Sequence, residues 1–363
     1  MASPSSRADL LPSSPFTALA DLISARRAAG DEIIPLHIGD TYLDPPVNGV
    51  VGCGEGHNRY TAATGEPSLV SALEAREGRA VLPTAGATGG VALAVRIVAE
   101  PGDRILVMAP YWPLVRGICQ AAQVTPLEMP CYGLYGPAVL ASIEAVLKTD
   151  PGIKAVYVSS PSNPTGLVLP PSFLDGLAGI CTKYDRWIIS DETYAEYVYK
   201  GRHFSPRLKH RDTITVNSFS KMYGLAGHRV GWITGPKAAL KAALKFSANL
   251  WYTPPTVGQR VCAQALENTS WIPKARAQYR RTGIEAAKIV GAAEPEGSQF
   301  LWVDLKTGAD SKVRQLLQEG VLVTPGAAFG EGFEQYIRVC YTSAPPDVVL
   351  GAIRTIASVA QET

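Results

Sequence analysis

Lys221 and Arg229 are the residues whose types and spacing are most informative about chemistry. Lys221 ends the run Asn-Ser-Phe-Ser-Lys, and Arg229 follows eight residues later, after a segment that contains two glycines. A lysine amine can form a covalent imine, and the planar guanidinium of an arginine can hold a phosphate through two donors. A lysine and an arginine at this spacing are usually two solvated charges. The pair therefore predicts a site for a phosphorylated ligand only in company with other motifs.

Two further motifs follow predicted strands and could contribute to such a site. The glycine-rich stretch 84–90 precedes a helical pattern, where small residues and free amides favour a bound phosphate, although a plain tight turn is about equally common. Trp112 follows the predicted strand 104–108 and could be a rim residue or a stacking platform for a flat ring. Neither motif decides the function alone.

Three polar side chains lie in or next to apolar strands: Asn163 follows one strand, Asp191 ends another, and Arg338 lies within a third. Asn163 lies in a Ser-Pro-Ser-Asn-Pro-Thr-Gly segment, which is ordinarily a turn, but its amide could bind a ligand oxygen. Asp191 ends an apolar strand and needs a partner there; a protonated ring nitrogen would serve, and Tyr194 could reach a neighbouring phenolic oxygen. Arg338 in the strand 336–341 could bind a substrate carboxylate or form an internal salt bridge.

Composition excludes several classes of function. The chain has 363 residues, is 46% hydrophobic and has a formal net charge of +2, so it can bury a substantial core and has no excess of charge for a polyanion. Nucleic acid and membrane partners are not expected, since basic clusters and membrane-length apolar runs are missing from the sequence. The N-terminal tract 1–16 has no apolar core of a secretory signal.

Cysteine and histidine spacing favours no metal site. The six cysteines form no CxxC pair, which is typical of a reduced intracellular protein, and a cytoplasmic location is expected. Most of them are expected to be small core residues, and the five histidines lack metal-ligand spacing.

The order of apolar segments predicts an α/β fold. Short apolar runs alternate with helical patterns such as 91–99 and 173–184, which indicates a largely parallel sheet covered on both faces. We expect an N-terminal arm at 1–45, a large domain at 46–284 and a smaller α+β domain at 285–363. The predicted strands are 104–108, 124–129, 155–159, 187–190, 213–217, 229–234, 300–305, 321–323 and 336–341, and a helix is predicted at 347–360.

Taken in order, these motifs resemble the class I/II aminotransferases, which are fold type I pyridoxal-phosphate enzymes of the aspartate aminotransferase superfamily. The resemblance covers nearly the whole chain and implies a homodimer with active sites at the interface. It also implies that Lys221 binds the cofactor covalently and later acts as general base, while Asp191 keeps the ring nitrogen protonated. The resemblance also implies ring contacts by Trp112, Asn163 and Tyr194. It implies phosphate contacts by Ala87, Thr88, Ser218 and Arg229 of the same subunit and by Tyr60 of the second subunit. The substrate carboxylate would be bound by Arg338 and the backbone near Gly39, with Asn163 beside them.

The sequence departs from aspartate-specific relatives at two positions. Where one branch has an arginine for a second carboxylate this chain has Ala248, and where another branch has a lysine it has Thr88. A dicarboxylic substrate would then leave a buried charge unpaired. Trp251 and Tyr252 favour neutral or aromatic amino acids as donors. The segments 39–60 and 65–86 are also shorter than in relatives.

The expected reaction is transfer of an amino group from an amino acid to a 2-oxo acid, and two alternatives to it stay open. Elimination, or cyclisation like that of aminocyclopropane-carboxylate synthases, would use the same cofactor residues, so the sequence does not separate these reactions from transamination. A non-catalytic pyridoxal-phosphate-binding module of a transcription regulator would carry a DNA-binding segment, and none is visible before Pro15.

Overall fold

The computed structural model describes residues 5–13, 16–47 and 56–362; Cys53, part of the N-terminal tract and part of the shortened segment 39–60 lie outside these ranges. The strands are β1 (Ile34–Pro35), β2 (Val81–Ala85), β3 (Arg104–Ala109), β4 (Thr125–Pro130), β5 (Ile153–Ser159), β6 (Trp187–Asp191), β7 (Thr213–Ser218), β8 (Val230–Thr234), β9 (Phe300–Asp304), β10 (Val321–Leu322), β11 (Thr324–Pro325) and β12 (Tyr336–Cys340). The α-helices are α1 (Ala20–Ala28), α2 (Pro67–Glu77), α3 (Gly86–Val98), α4 (Leu114–Ala121), α5 (Pro137–Thr149), α6 (Pro171–Lys183), α7 (Phe219–Met222), α8 (Lys237–Leu250), α9 (Thr256–Glu267), α10 (Trp271–Val290), α11 (Ala309–Gln318) and α12 (Pro346–Gln361).

The largest sheet has seven strands in the order β2-β8-β7-β6-β5-β3-β4. Neighbours from β7 to β4 pair in parallel, whereas β8 is antiparallel to both β7 and β2. All of its strands except β8 therefore run in one direction, and their carboxyl ends share one edge. Residues that follow β2, β3, β5, β6 and β7 meet there, together with the residue that precedes β8.

Both faces of this sheet are covered, as its sequence pattern predicts. In β3, Ile105 and Val107 belong to one buried cluster with helices α3 and α4, while Leu106 and Met108 belong to another with α5 and α6. Adjacent residues of a strand point to opposite faces, so a continuous apolar run is what a sheet covered twice requires. The packing holds the carboxyl edge of the sheet rigid.

A second, smaller group of elements surrounds β12. The sheet β11-β12-β9 is antiparallel, and β1 pairs in parallel with β10. Leu19 and Leu36 from the N-terminal part share one buried cluster with Leu301, Ile337 and Ile356. The N-terminal part thus packs with the C-terminal elements. The predicted domain limits stay predictions, and α10 runs through residue 284 without a break.

The predicted fold class is confirmed, and each predicted strand is present with its ends shifted by at most two residues. The sequence pattern missed the two-residue strands β1 and β11, and it also missed β2. Strand β2 contains Pro83 and pairs on one side only, with β8, as an edge strand with a proline does. The sequence pattern also began β8 at Arg229, which instead has a left-handed backbone (φ 54°) just before the strand. None of the helices within the described ranges is long and apolar enough to cross a membrane.

Candidate active site

One cavity at the carboxyl edge of the large sheet collects most of the predicted site residues. It is lined by Ala87, Thr88, Trp112, Asn163, Asp191, Thr193, Tyr194, Ser218, Ser220, Lys221, Ala226 and Arg229. Segments far apart in sequence meet here because their strands are neighbours. Thr193, Ser220 and Ala226 were not predicted, and each lies within three residues of a residue that was.

The N-terminus of α3 and Arg229 form an anion cradle at one end of the cavity. A side chain at Gly86 would lie 2.7 Å from Nη2 of Arg229, so only glycine lets the guanidinium lie so close to the start of the helix. Gly231 leaves similar room, because a Cβ there would lie 2.9 Å from the backbone nitrogen of Ala87. Free amides, the positive end of the helix and a guanidinium together suit a phosphate.

Ser218 connects this cradle to the lysine. It caps the short helix α7, since its hydroxyl accepts a hydrogen bond from the backbone N–H of Ser220 at 3.0 Å. The cap fixes the turn that begins at the end of β7 and presents Lys221 to the cavity.

Lys221 is mostly buried, and its amine donates a hydrogen bond to the carbonyl oxygen of Gly39. Burial lowers the pKa of Lys221, the charge of Arg338 lowers it further, and the carboxylate of Asp40 opposes the shift. A lowered pKa increases the fraction of neutral amine near neutral pH. Neutral amine is the form that acts as nucleophile or base.

Asp191 is 6% exposed and has two hydrogen-bond donors within the described residues. Its Oδ2 accepts from the hydroxyl of Tyr157 at 2.8 Å, and its Oδ1 accepts from the backbone N–H of Thr193 at 3.1 Å. Burial raises the pKa of Asp191, while the hydrogen bonds from Thr193 and Tyr157 lower it. The expected cationic partner is not among the described residues, so a cationic ligand group would fit here.

Asn163 and Arg338 form one connected unit. Nη1 of Arg338 donates to Oδ1 of Asn163 at 2.9 Å, while Nη2 donates to the carbonyl oxygen of His37 and to the hydroxyl of Thr324. The rings of Phe300 and Phe329 lie 4.4 and 5.1 Å from the guanidinium carbon. Nε of Arg338 is buried without a partner among the described residues, which leaves a donor for a carboxylate. Asn163 also lines the cavity, and its side chain makes a hydrogen bond with Tyr194.

Tyr194 lies beside this unit and is almost fully buried. Its ring packs edge-on against Phe300. Burial raises the pKa of its hydroxyl, and the charge of Arg338 lowers this pKa by a smaller amount. The phenol therefore stays protonated at neutral pH and can donate a hydrogen bond.

Three predicted site residues are not among those that line this cavity, namely Gly39, Arg338 and Tyr60. Gly39 and Arg338 make hydrogen bonds to the lining residues Lys221 and Asn163. The third, Tyr60, lies on the surface. Its ring is 90% exposed and packs edge-on against Tyr252, with ring centres 5.5 Å apart. Both rings line a separate surface groove with Arg59 and Trp251. Arg116 is not among the residues that line the cavity, and its Nη1 lies 3.8 Å from Oε1 of Glu128.

The chemistry of this donor set fits pyridoxal phosphate. The cradle at Gly86 and Arg229 suits the phosphate, and Lys221 provides the amine. The Asp191 carboxyl group, which has hydrogen-bond donors but no cationic partner among the described residues, suits a protonated ring nitrogen. Trp112 provides an aromatic face in the same cavity. A covered α/β sheet with these groups at its carboxyl edge defines a class of enzymes that use this cofactor.

Comparison with known proteins identifies the family. Residues 40–356 match the family "Aminotransferase class I and II", so the chain belongs to that family of pyridoxal-phosphate-dependent enzymes. It is an aminotransferase, and pyridoxal phosphate is its cofactor.

Individual relatives carry names with different substrates. A probable aspartate/prephenate aminotransferase of Thermus aquaticus is 31% identical and covers 87% of this chain and 89% of its own length. An arginine–pyruvate transaminase of Pseudomonas aeruginosa is 30% identical, with 87% of both chains covered. The solved aspartate aminotransferase of Thermus thermophilus with maleate has a TM-score of 0.87 at 27% identity and covers 99% of this chain and 100% of that one. These names do not fix the substrate of this chain.

Proposed function

We propose that this aminotransferase takes its amino group from neutral or aromatic amino acids rather than from aspartate and passes it to a 2-oxo acid. One observation carries the proposal: the only cationic side chains that line the described cavity are Lys221 and Arg229. Lys221 is assigned to the cofactor and Arg229 to its phosphate. Arg338, with a free Nε, serves the α-carboxylate, so no cation remains for a second carboxylate.

The proposed division of labour follows from these contacts. Bound pyridoxal phosphate supplies an electrophilic carbon and a ring that accepts electrons. Lys221 Nζ takes the proton from the substrate α-carbon, aided by its lowered pKa. Asp191 would hold the ring nitrogen, and Trp112 would provide an aromatic face for the ring. Tyr194 and the Asn163 amide would donate to the phenolic oxygen. The amide of Ala87, together with Thr88, Ser218 and Arg229, would hold the phosphate.

We further propose a homodimer in which Tyr60 of one subunit completes the phosphate site of the other. The exposed Tyr60 ring supports this, as do the exposed apolar side chains of Phe246, Leu250 and Tyr252 on α8 and the loop after it. A cytoplasmic location stays a prediction. The five described cysteines are buried and free, in keeping with a reducing compartment.

Donor specificity is tested by measuring kcat/KM for a panel of amino acids with purified holoenzyme. Aspartate should be at least about tenfold poorer than the best neutral or aromatic donor, because one charge-assisted contact is missing. Glutamate is a weaker test, since many aminotransferases admit it by moving an arginine. A higher value for aspartate than for every neutral and aromatic donor would contradict the proposal.

Thr88→Lys sharpens this test, because it adds a cation inside the cavity. The variant should improve the ratio of aspartate to phenylalanine turnover by about tenfold, whereas Thr88→Gln, similar in length but uncharged, should not. If both variants change the ratio equally, charge is not what excludes aspartate.

A further inference from the structure

Tyr157 contacts Asp191, although no motif in the sequence points to it. Asp191 ends β6 and pairs in parallel register with Ser159 of β5. Alternate residues of a strand face the same side, so Tyr157 lies on the same face as Ser159 and Asp191. Its side chain therefore runs alongside Asp191, and its hydroxyl lies 2.8 Å from Oδ2.

Both members of this pair are buried, so their hydrogen bond is largely shielded from solvent. Tyr157 is 1% exposed and packs in a cluster with Val115 and Cys119 of α4, against which Trp112 also packs. The tyrosine hydroxyl would otherwise be an unsatisfied buried donor. With the Thr193 N–H on Oδ1, the Tyr157 hydroxyl on Oδ2 leaves the carboxylate little freedom to rotate.

We propose that Tyr157 is a positioning residue that acts through Asp191, keeping its carboxylate ionised and in one orientation so that it can hold a protonated ring nitrogen. This inference rests on the role proposed above for Asp191. A hydrogen bond to an ionised carboxylate favours the charged form, and the tyrosine does so without adding a charge that would compete with the cofactor.

The expected pH effect follows from the surroundings of Asp191. Burial raises its pKa, and the hydrogen bonds from Thr193 and Tyr157 lower it. Removing the Tyr157 hydroxyl should therefore raise the pKa of Asp191 and move the acid side of the kcat profile toward higher pH. The titratable or charged groups around Asp191 are Tyr157, Glu192, Tyr194, Lys221 and Arg229.

The test is Tyr157→Phe, measured first without turnover. Titration of the apoprotein with pyridoxal phosphate should show an affinity about tenfold lower, and kcat should fall about tenfold with KM nearly unchanged. The acid limb of kcat should move up by about one pH unit. Tyr341→Phe is the matched control, because Tyr341 is fully buried and donates to the carbonyl oxygen of Ser298 at 3.0 Å, away from Asp191. The control should change neither the affinity nor the acid limb.

A double-mutant cycle with Asp191→Asn separates the two proposals. If Tyr157 acts through Asp191, Tyr157→Phe should cost little further affinity or kcat in the Asp191→Asn background. Full additivity, or an unchanged affinity and pH profile in the single variant, would overturn the role of Tyr157 while leaving that of Asp191 intact. A nearly unimpaired Asp191→Asn enzyme would instead remove the proposed function of Asp191 itself.

Discussion

The two ends of the active site differ in how completely one chain forms them. At the cofactor end, Asp191, Asn163 and Ser218 are buried, and each has hydrogen-bond partners from neighbouring strands or turns. Tyr60, by contrast, is 90% exposed and lines a separate surface groove. The buried end is preorganised for its ligand by contacts within one chain. The open end, at Tyr60, would be completed by the second subunit of the proposed homodimer.

Asp191→Ala tests the preorganised end and should have the largest effect on turnover. The variant should keep much of its bound cofactor through the phosphate contacts, yet its kcat should fall roughly a hundredfold to a thousandfold, since a fixed charge that stabilises the transition state is lost. Absorbance of the bound cofactor and steady-state kinetics measure the two effects. Asp175→Ala, on the exposed face of α6, is the control. Near-normal turnover of Asp191→Ala would refute the role of the carboxylate.

Tyr60→Phe tests the open end and should have a smaller effect. Loss of one hydrogen bond to the phosphate should weaken cofactor binding about tenfold, with little change in the fold of an exposed side chain. Equilibrium titration of the apoprotein measures the affinity.

Mixing subunits shows whether Tyr60 acts across the interface. A heterodimer of Tyr60→Phe and Lys221→Ala subunits has one site with native Lys221 and Tyr60 if the tyrosine comes from the partner. Native cofactor affinity should then return in part of the sites. If mixing restores nothing, Tyr60 does not serve the second subunit's site.

The same contrast explains what the sequence could predict. Strong apolar runs indicated the parallel strands. Trp112, Asn163 and Asp191 were predicted as site residues because they lie at or just beyond the ends of these strands, and parallel strands end on one edge of the sheet. Tyr157 could not be found in this way, since it reads as one more aromatic residue in an apolar strand. Only the register of β5 against β6 brings it to Asp191.

Other differences have similarly local causes. Edge strand β2 was missed because Pro83 interrupts its apolar pattern, and β8 was begun one residue early because nothing in the sequence marks the left-handed backbone of Arg229. In the proposed homodimer, the surroundings of Tyr60 would include a second chain, which a single sequence does not describe.

Identification of the lysine that holds the cofactor tests the central claim most directly. Reduction of the holoenzyme with borohydride fixes the pyridoxyl group to its lysine, and peptide mapping then locates it. We expect the label on Lys221, which lines the cavity together with Asp191 and Arg229. Recovery of the label on another lysine, such as Lys183 or Lys237, would contradict it.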